Sequence, residues 1–180
     1  MKRLTRRGFT LIEILVVVAI ISILAAVVLA SINEARKSAR DKVRISDLEQ
    51  AKAALHIYAV TNKTYLISGT GYISGGQGWF SYAGSNYPRA VAQALVDEDL
   101  VNAVLYDPLV AANLTVSNGH HPYMVYFHSP GGATEGVCLF AQLERPTTAH
   151  IATIDGAPIA TATRTSLKNS YLMNYATCTP

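Results

Sequence analysis

The stretch from Ile14 to Ile32 constrains this chain more than any other feature. It carries no charge, its only polar side chains are Ser22 and Ser31, and neither Gly nor Pro interrupts it. Nineteen residues at about 1.5 Å each make a helix of roughly 28 Å, close to the hydrocarbon thickness of a bilayer. A transmembrane helix is the direct reading. Its rival is a secretory signal peptide, for which Val28-Leu29-Ala30 loosely supplies a small-residue cleavage site. Two observations weigh against the rival. Glu13 stands at the start of the apolar run, where a signal peptide seldom tolerates an acid, and the helical pattern continues well past the apolar stretch.

That continuation runs from Asn33 to about Asn62. Ile45, Leu48, Ala51, Leu55 and Tyr58 or Ala59 recur at steps of three and four, which draws one apolar stripe along a helix. Gly and Pro are absent from Phe9 to Ile67, and alanine fills many of the gaps. The pattern predicts one helix from Phe9 to about Asn62, roughly 80 Å long. Its first half is apolar all round and its second half is amphipathic. The two halves must therefore be buried in different surroundings: lipid or other helices first, then the helix's own domain.

Charge sharpens the picture. The chain has 15 basic and 12 acidic side chains, a formal +3. Lys2, Arg3, Arg6 and Arg7 all precede Gly8, so without that leader 11 basic face 12 acidic groups, or −1. A general affinity for nucleic acid loses its electrostatic basis. Beyond Arg44 only Lys52, Lys63, Arg89, Arg145, Arg164 and Lys168 remain, too sparse for DNA capture unless folding clusters them. Orientation in the membrane stays open on charge alone, because Arg36, Lys37, Arg40, Lys42 and Arg44 flank the far end of the apolar run. With Glu34 and Asp41 these residues make a dense charged turn. It reads as a solvated or headgroup-facing segment with local ion pairs; salt bridges between subunits or contact with anionic lipid are the sharper readings.

Arg6-Arg7-Gly8-Phe9-Thr10-Leu11-Ile12-Glu13 followed by the apolar run resembles the processing site of type IV prepilins and of the pseudopilins of type II secretion systems. The resemblance covers Lys2–Asn62 and fades beyond it. It implies residues 1–8 as a leader, 9–32 as the transmembrane and filament-core half of a spine helix, 33–62 as its amphipathic half, and 63–180 as a globular pilin-like domain. It also implies cleavage after Gly8 by a prepilin peptidase and methylation of the new amine on Phe9. Glu13 would then serve assembly by pairing with the Phe9 amine of a neighbouring subunit, since a carboxylate at the edge of a membrane helix is costly without a partner. The alternative is a Glu13 that only snorkels to the headgroups. Many pilins have a helix-breaking Pro or Gly in the spine; Leu24–Ala30 has neither.

The function implied is a structural subunit of a type IV pilus or a type II secretion pseudopilus, not an enzyme. Its partners would be copies of itself and other pilins, the prepilin peptidase and methyltransferase, an inner-membrane assembly platform, and lipid before assembly. It would span the inner membrane once with its N-terminus in the cytoplasm, then move to a surface or periplasmic filament. A minor tip pilin that binds DNA or a surface is the alternative.

The remainder reads as an α+β domain. Gly69, Gly71, Gly75, Gly76 and Gly78 mark an extended loop anchored by Trp79, Phe80 and Tyr82. Pro88–Asp97 predicts a short helix with proline at an early position. Strands are expected at Tyr123–Phe127 and Val137–Leu143, joined by a long hairpin loop at Ser129–Gly136, with a third at Ala149–Ile154. An antiparallel sheet packed on the amphipathic half of the long helix is the economical architecture. Cys138 and Cys178 are the only cysteines, and in an exported chain such a pair usually forms one disulfide. The bond would close a loop of about 41 residues, worth roughly 4 kcal/mol, and would staple the loop-rich tail Thr161–Thr179. Two reduced, buried thiols are the alternative for a cytosolic chain. His120-His121 reads as a turn beside Pro122 and Asp97-Glu98-Asp99 as a solvated helix end. The acid-rich calcium loop frequent in major pseudopilins is not expected, because only Asp155 follows Glu144. No nucleophile elbow, phosphate loop or zinc pattern appears, so no cofactor or metal is expected.

Overall fold

The structure, a computed structural model, describes residues 9–72, 76–84, 86–110, 116, 119–128 and 136–179. The leader with Gly8, the stretch 73–75 and most of the expected hairpin loop at Ser129–Gly136 lie outside the described residues. Helix α1 covers Leu11–Asn62, two residues shorter at its start than the sequence pattern suggested, and is unbroken through Leu24–Ala30. The chain divides into two units, Met1–Ala39 and Arg40–Pro180.

In the first unit every described residue from Phe9 to Arg36 is exposed. Among the described residues α1 is the one helix long and apolar enough to cross a membrane. A surface apolar on all sides has no partner within its own unit, and water is a poor one.

The second unit is built on a four-stranded antiparallel sheet: β1 (Gln77–Trp79), β2 (Met124–His128), β3 (Gly136–Ala141) and β4 (Tyr175–Cys178), in that spatial order. On one face, Val125, Phe127, Val137, Leu139, Ala141 and Tyr175 pack with Leu48, Ala51, Leu55 and Tyr58 from the α1 residues of this unit. This is the predicted apolar stripe, joined by Ala54. Helix α2 (Val91–Asp97) completes that core with Val91, Ala94 and Leu95. On the other face, Met124, Cys138, Phe140 and Ala176 pack with Ile154, Leu167 and Met173. The sheet is thus covered on both sides, which is why β3 is buried at all six of its positions.

Several expectations need correction. Ala149–Ile154 is not a strand but lies in helix α3 (Thr148–Asp155), started by a capping box in which Thr147 accepts from the His150 amide and His150 Nδ1 accepts from the Thr147 amide. The tail Thr161–Thr179 is not loop-rich: it holds helix α4 (Thr161–Ser170) and strand β4. Thr-rich α4 has poor intrinsic propensity and rests on the burial of Leu167. The helix expected at Pro88–Asp97 begins at Val91, with Pro88 in the connection before its cap. Strands β2 and β3 are displaced by one or two residues from Tyr123–Phe127 and Val137–Leu143. Strand β1 was not expected; it exists because it pairs with β2 from Gln77↔Tyr126 to Trp79↔Met124.

Candidate functional site

The expected assembly residues sit at the start of α1, and local hydrogen bonding organises them. Glu13 Oε2 accepts from the Thr10 amide at 2.7 Å and from Thr10 Oγ1 at 2.8 Å, while the Glu13 amide donates to Thr10 Oγ1 at 3.3 Å. This is a capping box that satisfies two amides an α-helix leaves orphaned at its start. Thr10 therefore stands as the cap and the helix begins at Leu11. Phe9, just outside it, is 83% exposed. The structure gives the Glu13 carboxylate a first partner within its own chain. The Thr-x-x-Glu spacing is the sequence signal for it.

From Ile14 to Ile32 the exposed surface is aliphatic, interrupted only by Ser22 and Ser31, whose hydroxyls donate back to the carbonyls of Val18 and Val28. Self-bonded hydroxyls of this kind leave little polarity on the helix surface. Such a surface can mix with lipid tails or with another helix of the same character, and has no group to perform chemistry.

The charged turn resolves differently from its bland reading. Arg44 is 0% exposed and Asp107 is 1% exposed. The Arg44 guanidinium meets Asp107 in a fork, Nε to Oδ2 at 2.7 Å and Nη2 to Oδ1 at 3.1 Å, and its Nη1 reaches Asp41 at 2.8 Å and Glu144 at 3.0 Å. Arg40 makes a second fork onto Glu144, with both contacts at 2.7 Å. Asp41 in turn accepts the amides of Glu144 and Arg145. Burial opposes the charge on Arg44, but the Asp107, Glu144 and Asp41 carboxylates outweigh it and hold the guanidinium protonated. The Arg40 hydrogen bond, aided by Arg44, holds the Glu144 carboxyl down to about 2. A solvated turn is thus the wrong description for Arg40, Asp41 and Arg44: they fasten α1 to the loop at Asp107 and to the segment after β3. Sequence spacing could not show this, because Asp107 and Glu144 lie 63 and 100 residues from Arg44.

Cys138 and Cys178 are joined by a disulfide between directly paired residues of β3 and β4. His121 stacks on Trp79, with ring centroids 5.6 Å apart, and Asp97 binds Arg89 rather than standing free. Among the described residues no group of three His, Cys, Asp or Glu could hold a metal. The cations beyond Arg44 are dispersed onto separate acceptors, Lys52 on Glu49, Arg89 on Asp97 and Lys168 on Asp155.

Residues 3–29 match the family model described as the prokaryotic N-terminal methylation motif. The type IV wide pilus major component PilA4 of Thermus thermophilus is 43% identical over 68 residues, 38% of this chain and 52% of the relative. The type II secretion system core protein G of Pseudomonas aeruginosa is 42% identical over 65 residues, 36% of this chain and 46% of the relative. The protein of the same name from Klebsiella michiganensis is 41% identical over 66 residues, again 36% and 46%. The chain spans about half the length of the curated relatives it matches. No solved structure matches it. By the methylation motif and these relatives, the N-terminal part of the chain is similar to type IV pilins and to the pseudopilins of type II secretion systems.

Proposed function

We propose that this protein is a structural subunit of a type IV pilus or a type II secretion pseudopilus, polymerised through residues 9–32. The observation that carries the reading is the exposed aliphatic surface of Ile14–Ile32, opened by a capped Glu13. In lipid that surface is solvated by acyl chains; in a filament it would be covered by the same surface of other subunits. Apolar burial is retained in both states, so helix packing can decide between them. Relatives named as a pilus component and as secretion core proteins support the same reading, and the family is one of structural proteins rather than enzymes.

In this reading the leader with Lys2, Arg3, Arg6 and Arg7 stays in the cytoplasm, and a prepilin peptidase cuts between Gly8 and Phe9. The freed Phe9 amine is methylated and pairs with Glu13 of a neighbouring copy. The Thr10 cap then defines what that pairing must replace or share: Glu13 Oε2 already accepts two donors, whereas a carboxylate has about four acceptor positions. The assembly platform and other pilins of the same system are the remaining partners. The dispersal of cations beyond Arg44 gives no support to a DNA-binding tip subunit.

The test is the intact mass and N-terminal peptide of the membrane-extracted protein made in its own host. A chain that begins at methylated Phe9 supports the proposal. A chain that begins near Ser31 means ordinary secretion and loss of the spine, which would overturn it.

A further inference from the structure

Five cations follow the apolar segment in the sequence, and the structure sorts them into two classes. Arg40 and Arg44 are turned into the domain, onto Glu144, Asp107 and Asp41. Arg36 and Lys42 are exposed and have no ion-pair partner among the described residues, and Lys37 is half-exposed with Glu34 beside it at 2.9 Å. From this division we infer that Arg36 and Lys37 bind the headgroups of anionic phospholipids, and that this is their role while the subunit waits in the membrane. The inference rests on the membrane-spanning reading of residues 9–32 but goes beyond it, since spanning a bilayer requires no particular headgroup.

Three physical points favour lipid phosphate as the occupant. Arg36 lies four residues beyond Ile32, about 6 Å along a helix axis, which is within the headgroup layer if the hydrocarbon ends near Ile32. Helical side chains lean toward the N-terminus of their helix, so cations placed after an apolar segment lean back toward the membrane. Their long alkyl stems can lie along the apolar surface while the charge stays among headgroups. The sequence run alone suggested five equivalent charges. The structure removes two of them from consideration, because a guanidinium held by buried carboxylates is not offered to lipid.

The test uses the full chain reconstituted in bilayers of zwitterionic phosphatidylcholine with a minor fraction of phosphatidylglycerol. Spin-labelled forms of each lipid report their relative association with the protein. The wild type should prefer phosphatidylglycerol, and the preference should fall with added salt. Each cation removed should lower it by up to about fivefold, so Arg36→Gln with Lys37→Gln should bring the ratio close to one. Lys63→Gln, a cation twenty-one residues after Lys42 whose amine donates to the Val60 carbonyl, should leave it unchanged. Equal ratios for the wild type and the double variant would overturn the inference, as would an equal loss in Lys63→Gln, which would mean a response to net charge alone. Unchanged lipid preference with reduced filament yield would also overturn it, by assigning the two cations to carboxylates of neighbouring copies. Filament yield is scored separately in cells, so a failed lipid test leaves the filament proposal standing.

Discussion

Ile14–Ile32 and Arg40–Asn62 are two stretches of one helix, yet they meet their surroundings in opposite ways. The first shows aliphatic side chains on every side and buries none of them. The second buries Asp41, Arg44, Leu48, Ala51, Ala54, Leu55 and Tyr58 against its own domain and leaves Val43, Ile57 and Val60 outside. Hydrophobicity by itself does not distinguish them, because both contain valine, isoleucine, leucine and alanine. What differs is the pattern: a polar face on the second stretch fixes which side turns inward, and the first has no such face to choose. A helix without a preferred side is suited to many partners, and a helix with one is committed to a single docking.

The contrast can be broken or sharpened by substitution. The largest effect should come from Glu13→Ala. Filaments counted on cells should be lost while the chain is still cut between Gly8 and Phe9; normal filament yield would remove Glu13 from the assembly mechanism. Next, Arg44→Met leaves Asp107 buried without its cation, and breaking such a pair costs about 3–5 kcal/mol. Denaturant unfolding of the full chain in detergent should show that loss, whereas Arg36→Met should fall within about 0.5 kcal/mol of the wild type. Within the second stretch, Leu55→Ala should cost about 2–5 kcal/mol by opening a cavity, and Ile57→Ala, two positions on and exposed, should cost a small fraction of that.

A graded effect is expected with pH. The Glu144 carboxyl is held at about 2 in the folded domain by Arg40 and Arg44, against about 4.3 in an unfolded chain. The stabilisation from Glu144 is therefore complete above about pH 4.3 and is lost as the pH falls toward 2. Asp47, raised by burial, works in the opposite direction. Unfolding midpoints measured across this window should fall with acid in the wild type, and less steeply in Glu144→Gln. The smallest effect should be Thr10→Ala, which removes the cap of α1 at about 1 kcal/mol. Faster amide hydrogen exchange confined to the first turn of the helix would report it.

The N-terminal features were legible because they are local. An uncharged run of membrane length, a basic leader before Gly8, and a three-and-four repeat from Ile45 to Tyr58 each depend on neighbours within a few turns. Strands β2 and β3 were legible within two residues, since alternation from Val137 to Ala141 matches a sheet with two apolar faces. Helix α3 was missed although its signals were present: Thr147 as a cap and Gly156 after the last turn frame Thr148–Asp155. There, Ile151 and Ile154 among threonines and alanines read equally well as a short strand.

By itself the sequence determined the spine helix, the side of its second half that faces inward, and the two cysteines available to each other. Only the tertiary structure decided that β1 is a strand, that Thr161–Ser170 is a helix, and that Arg44 is a core residue while Arg36 is not. The reason is physical. Whether an arginine is solvated or buried depends on carboxylates delivered from Asp107 and Glu144, far along the chain, and no periodicity near residue 44 records their arrival.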